Sequence, residues 1–214
     1  MEVEAIWKLL SLKEGGPVLE LGCGYGRITN RLEGKGARVT GLDTSPVLLK
    51  NAEADTAERG VNVEYVLGDM RSLPWRDCFD AVFLWYTTFG YFNEADNEKV
   101  LHEVARSFRK GRAAANRSTQ SLLSDKSPSY AIVRRNDELR MHISNYDALI
   151  DRCKSERAIA RNGCLTRMRL SVKHYGFSEY VRMLRSAGFE TVEACGKAES
   201  SSPHGRRLVV VEYK

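Results

Sequence analysis

The stretch Val18-Leu19-Glu20-Leu21-Gly22-Cys23-Gly24-Tyr25-Gly26-Arg27 constrains the fold more than any other. A short apolar run ends in three alternating glycines, and a helical pattern follows. This order predicts a strand, a tight turn and a helix, the usual seat of a nucleotide-like ligand at the carboxyl edge of an α/β sheet. Glycine has no Cβ, so it reaches positive φ and lets a ligand lie against backbone. A dinucleotide fingerprint, Gly-x-Gly-x-x-Gly, needs its last glycine where this chain has Arg27. The third glycine falls one residue early, which disfavours a nicotinamide-dependent oxidoreductase.

Strand and helix patterns alternate through the first half of the chain. Residues 17–21, 38–43, 63–67 and 79–85 read as strands, the last nearly continuous in apolar residues and suited to burial on both faces. Helical spacing appears at 2–12, 25–32 and 93–109. Ser45-Pro46 opens a further helix, with serine as N-cap and proline in the first turn, and Gly60 closes it. Such alternation implies a parallel sheet with right-handed crossovers. A fifth central strand is expected near 112–120, yet three alanines followed by Asn116 and Arg117 make a poor interior strand. Residues 118–135 read as a mobile stretch or lid. Between 137 and 175 polar and apolar residues alternate, and Asn162-Gly163 between two such runs is a strong hairpin signal. A helix at 177–187 with Ser178 as N-cap, strands at 191–194 and 208–211, and a turn at 200–205 complete the reading.

With 43% hydrophobic residues, 214 residues can bury a full α/β core. No apolar run is long enough to cross a membrane as a helix. The acidic start, Met1-Glu2-Val3-Glu4-Ala5, lacks the basic-then-apolar order of a signal peptide, which makes the cytoplasm the default location. The five cysteines are scattered with no Cys-x-x-Cys pair, so neither a disulfide framework nor a metal site is expected. Net charge is +5, but the basic residues are dispersed without interleaved aromatics, which disfavours nucleic acid as a partner.

Three acids stand at successive strand ends: Glu20, Asp43 and Asp69. Asp43 lies about 20 residues past the first glycine, where an acid can accept both hydroxyls of a ribose. Asp69 followed by Met70 suits an adenine, with a carboxylate for the exocyclic amine and an apolar neighbour for the ring. All three would face one crevice.

Glu-x-Gly-x-Gly-x-Gly with the ordered acids resembles the class I S-adenosylmethionine-dependent methyltransferases, in their small-molecule branch, over nearly the whole chain. The resemblance implies an α/β, Rossmann-like, doubly wound and mostly parallel seven-stranded sheet, with a small antiparallel β insertion before the last helix. It implies a single domain over 1–214: a cofactor-binding core at 1–136, a substrate-side insertion at 137–175, and the final helix and strands at 176–214. S-adenosyl-L-methionine is the implied cofactor. Glu20, Gly22, Cys23, Gly24, Gly26, Asp43, Thr44, Asp69, Met70 and Trp85 are the implied contacts. The aromatic segment 85–92 corresponds to the family's motif IV, where cofactor meets acceptor, and aromatic faces there attract a sulfonium. It lacks the Asn-Pro-Pro-Tyr type of tetrad. The expected acceptor is a small-molecule amine or hydroxyl.

Tyr86, Tyr91, Arg169 and His174 are the expected substrate contacts, with His142 and Tyr146 as further lining residues. Candidates for catalysis are His174, Tyr175 and Tyr86, since a histidine can serve as a base near neutral pH. Methyl transfer from a sulfonium needs mainly alignment of the acceptor, so no catalytic residue is assigned. An RNA acceptor, suggested by the positive charge, and a cofactor-binding but inactive module are the alternatives. Oligomeric state stays open.

Overall fold

The computed structural model describes residues 2–86, 88–118, 129–135, 138–197 and 207–213. Strand β1 (Pro17–Leu21) is buried along its whole length. It has parallel neighbours on both sides, β2 (Arg38–Asp43) and β4 (Phe79–Leu84). β3 (Glu64–Leu67) lies beyond β2, and β5 (Phe108–Ser118) beyond β4. β11 (Arg207–Tyr213) runs antiparallel to β5, and β10 (Thr191–Lys197) antiparallel to β11. The order is β10-β11-β5-β4-β1-β2-β3, seven strands of which five are parallel. The winding reverses between β1 and β4, which opens a crevice at their carboxyl ends.

The period-two alternation of β1 and β4 divides the apolar residues between two cores. Val18, Ala81, Phe83 and Trp85 pack with Ile6, Ile28 and Leu32 on one face. Leu19, Leu21, Val82 and Leu84 pack with Val100, Leu101, Val104, Tyr180 and Leu184 on the other. Burial on both faces is why these strands show no polar alternation in sequence.

The helices begin and end where local chemistry sets them. In α3 (Pro46–Arg59) the Ser45 hydroxyl accepts from the Leu48 N–H at 3.3 Å, and Gly60 closes the helix at φ +64°. In α4 (Glu94–Ser107) the Asn93 side chain accepts from the Asp96 N–H at 2.9 Å. α1 (Glu2–Leu9) is shorter than its apolar spacing suggests. α2 (Thr29–Glu33) starts four residues later than expected, because Gly26 at φ +76° holds the chain in a turn. α5 (Phe177–Ser186) is capped at Gly176, not Ser178, with the Glu179 carboxylate accepting from the Gly176 N–H at 3.4 Å.

The doubtful fifth strand is present. β5 pairs with β4 at Phe108 and over 113–116 and with β11 over 113–118, since backbone groups can fill a ladder whatever the side chains. Its register against β4 slips between Phe79 and Ala81, and residues 109–112 are absorbed in the irregularity.

The insertion is a four-stranded antiparallel sheet of β6 (Ser129–Arg135), β7 (Glu138–Asp147), β8 (Arg152–Arg161) and β9 (Cys164–Lys173), in that order. β6 corrects the expectation of a mobile stretch at 118–135, of which 119–128 lie outside the described residues, as does the turn expected at 200–205. Asn162 and Gly163 form the two-residue hairpin turn at φ +50° and +74°.

The sheet joins the core at the loop after β4. The Lys173 N–H donates to the Gly90 carbonyl at 2.8 Å, and Arg152 donates to the Phe92 carbonyl at 2.5 Å. Gly90 sits at φ +99°, and a Cβ there would lie 2.4 Å from the Lys173 carbonyl oxygen. Gly90→Ala is therefore expected to cost ~2 kcal/mol or more, roughly 4–8 °C in Tm for a chain of this size. An unchanged thermal midpoint would show that the loop relaxes freely.

Candidate functional site

The crevice at the carboxyl ends of β1, β2, β3 and β4 holds a cavity of about 430 Å³ lined by Gly22, Leu42, Asp43, Thr44, Asp69, Met70, Arg71, Thr88, Tyr91 and Phe92. That is the size range of small-molecule sites. A larger cavity of about 600 Å³, lined by Arg38, Glu64, Trp75 and Phe79, opens at the amino ends of the same strands, away from the glycine loop.

The three glycines answer to three different constraints. A Cβ on Gly22 would meet the Thr88 methyl at 2.4 Å, so this glycine lets the loop after β4 close on β1. A Cβ on Gly26 would lie 2.1 Å from the Tyr65 hydroxyl. That hydroxyl donates to Asn30 Oδ1 at 2.7 Å, and Thr56 donates to the same oxygen at 2.7 Å. Gly26 is thus held by a buried polar node and does not line the cavity. Gly24 alone faces open space, at φ +58°. Its N–H donates to Asp43 Oδ2 at 2.9 Å, while Asp43 Oδ1 accepts from the Ser45 N–H at 2.9 Å. Two of about four lone-pair sites on the carboxylate remain for a ligand.

Asp69 lies in the cavity but is engaged by Arg71, which forks onto both its oxygens at 2.6–3.1 Å. The hydrogen bonds from Arg71, against a smaller effect of burial, hold the Asp69 carboxyl below its ordinary range. Arg71 also pairs with Asp96 at 3.0 Å and stacks 4.3 Å over the Phe92 ring. Neither Arg71 nor Phe92 was singled out from sequence for this cluster; a basic residue two positions after the acid was the available signal.

Other expected contacts lie elsewhere. Glu20 is on the same strand face as Val18, buried beneath the glycine loop, where the Thr29 hydroxyl donates to it at 2.5 Å. Burial, opposed by that hydrogen bond, pushes its carboxyl up to about 8. Cys23 is buried with its thiol pushed up by burial, and has no nucleophilic character there. Trp85 belongs to the α1-side core. Tyr86, strained at φ +60°, accepts from Arg27 at 2.6 Å and donates to Glu2 at 2.7 Å. Tyr175 is a core residue: it is 3% exposed, packs on Phe89, and accepts from Asn97 at 2.8 Å. His174 stacks on Tyr146 with ring centroids 5.7 Å apart, and burial lowers its proton affinity. Arg169 pairs with Glu156 on the strand face opposite Val172.

Comparison with known proteins follows this geometry. Residues 18–111 match the family described as methyltransferase domain. A cypemycin N-terminal methyltransferase from a Streptomyces species is 37% identical over 103 residues, 47% of this chain and 41% of that protein. The chain thus spans well under half the length of that relative. The CcbJ methyltransferase from Streptomyces caelestis superposes with a TM-score of 0.80 at 18% identity, covering 99% of this chain and 87% of that one. CalS10, an amino pentose methyltransferase from Micromonospora echinaspora solved with S-adenosylmethionine bound, gives 0.71 at 18%, covering 100% and 89%. The chain has the fold of these two solved methyltransferases. Over residues 18–111 the chain is similar to the methyltransferase domain family.

Glu20 carries a consequence for stability. The folded chain holds its proton up to about pH 8, whereas the unfolded chain releases it near 4.5. The stabilisation is complete below pH 4.5 and is lost as pH rises to about 8. Glu20→Gln removes the titrating group while keeping an acceptor for Thr29. Its thermal midpoint at pH 8 is expected to rise by roughly 2–4 °C, or ~1 kcal/mol, with a flatter pH profile. A midpoint that falls at pH 8 would show that the ionised carboxylate is the form the fold prefers.

Proposed function

We propose that the chain is an S-adenosylmethionine-dependent methyltransferase acting on an amine or hydroxyl of a small molecule. The observation that carries this reading is the convergence of Gly22, spare acceptor sites on Asp43, and the apolar side chains of Met70 and Phe92 on one cavity, with the open backbone of Gly24 hydrogen-bonded to Asp43. These fit the cofactor's three parts. Asp43 would accept from the ribose hydroxyls. Met70 and Phe92 would sandwich the adenine, with the Asp69–Arg71 pair beside it. The backbone at Gly22 and Gly24 would receive the amino-acid end.

When bound, the cofactor supplies an electrophilic methyl group on a sulfonium. The chain's own part is to align the acceptor and exclude water. The loop at 88–92 brings Thr88, Tyr91 and Phe92 to the cavity wall. Tyr91 is 40% exposed and stands between the cavity and the antiparallel sheet, where an acceptor would approach. The names of the similar proteins, a cypemycin N-terminal methyltransferase and an amino pentose methyltransferase, support a small acceptor without choosing one.

Calorimetric titration with S-adenosylhomocysteine tests the reading. Saturable binding is expected, weakened about tenfold or more (1.4 kcal/mol) in Asp43→Ala. A folded wild-type chain that binds no S-adenosylhomocysteine would overturn it.

A further inference from the structure

The antiparallel sheet has one face turned to the loop that lines the cavity. Directly opposed residues in such a sheet share a face. Tyr146, Cys153 and Val172 form one row across β7, β8 and β9. Val172 is buried, and its Cγ1 would stand 3.1 Å from a Cβ at Gly90, so this row meets the loop. The next row is Ser144, Ser155 and Leu170, and the one after it His142, Arg157 and Met168.

Arg157 differs from the other cations of this face. Arg140 and Arg161 both pair with Glu138. Arg157 has no ion pair or hydrogen bond among the described residues. Directly across from it, His142 Nε2 is buried and without a hydrogen-bond partner among the described residues. In the neighbouring row of the same face, Ser144 Oγ lies 3.2 Å from Ser155 Oγ. Burial pushes the Tyr91 hydroxyl in the cavity wall up, and the Arg157 charge opposes that shift. An unpaired guanidinium presents a fork of donors that matches a phosphate or carboxylate. A buried ring nitrogen with no partner costs stability until a ligand atom meets it.

Resting on the methyltransferase reading, we propose that the small-molecule acceptor carries an anionic group, a phosphate or a carboxylate, held by Arg157 on the loop-facing side of the antiparallel sheet. His142 and the Ser144 and Ser155 hydroxyls complete the cradle. Arg157 is then a specificity-determining residue. It fixes one end of the acceptor so that the nucleophilic end reaches past Tyr91 to the cavity.

Nuclear magnetic resonance titration with inorganic pyrophosphate and with succinate, each on the chain saturated with S-adenosylhomocysteine, tests this. The readouts are the arginine Nε–Hε and histidine ring signals. Saturable shifts are expected at Arg157 and His142, with pyrophosphate pointing to a phosphate-bearing acceptor and succinate to a carboxylate. Arg157→Gln should weaken the effective probe about tenfold or more while S-adenosylhomocysteine still binds normally, which also shows that the variant folds. Arg134 and Arg167 serve as internal controls: they too have no partner among the described residues, and their strand positions lie on the opposite face. Equal shifts at those two residues, no shift with either anion, or an unchanged response in Arg157→Gln would overturn the proposal. If wild type fails to bind S-adenosylhomocysteine, the cofactor reading falls. The anion titration then runs on the free chain, where absence of shifts at Arg157 and His142 still counts against the cradle.

Discussion

The carboxylate of Asp43 ties together the parts on which the cavity depends. It accepts one hydrogen bond from the glycine loop after β1 and another from the turn that opens α3. The glycine loop, the end of β2 and the start of α3 are thereby fixed at one point. The link is charge-assisted and short, so it is stronger than an ordinary loop contact. The parallel pairing of β1 with β2 places the partners within reach, and the side chain then sets the loop's height over the crevice.

Beneath the loop lies a second layer that is polar and buried. Asn30, Thr56 and Tyr65 satisfy one another, and Asn30 reaches Asp55 as well. Such a network is costly unless every member is paired, and here the pairing joins α2, α3 and β3. Glu20 beside it is buried without a matching cation in contact, which favours its neutral form. The floor of the site is therefore built for rigidity, while Asp43, Asp69 and Arg71 stand at its rim.

The rim divides the work between two sheets. The parallel sheet supplies the acids and apolar side chains of the cavity. The antiparallel sheet supplies a polar face hung from the loop at 90–92 by main-chain and arginine contacts. Period-two alternation decides which of its residues face inward. Arg157 and Arg169 belong to adjacent strands and similar sequence contexts, yet they stand on opposite faces. His174 and Tyr175 are adjacent in sequence, and one stacks on Tyr146 while the other is lost to the core.

Much of the architecture was legible in sequence because its signals are local. The Ser45-Pro46 start of α3, the bounds of β1 and β2, and the Asn162-Gly163 hairpin each depend on one or two residues acting on nearby backbone. Asp43, Thr44, Asp69 and Met70 reached the cavity for the same reason: strand ends in a parallel sheet share one edge. β5 was expected but read as a poor strand, and β6 was missed, because their pairing comes from distant strands, which propensity does not register. The sequence by itself determined the class of fold, the strand-end acids and the glycine loop. Only the tertiary structure decided that Gly26 makes room for Tyr65, that Arg71 occupies Asp69, that Tyr175 and Trp85 are core, and that Arg157 shares a sheet face with His142 and Val172. Each of these depends on which distant side chain arrives at a given point, and that is set by packing and register rather than by any spacing along the chain.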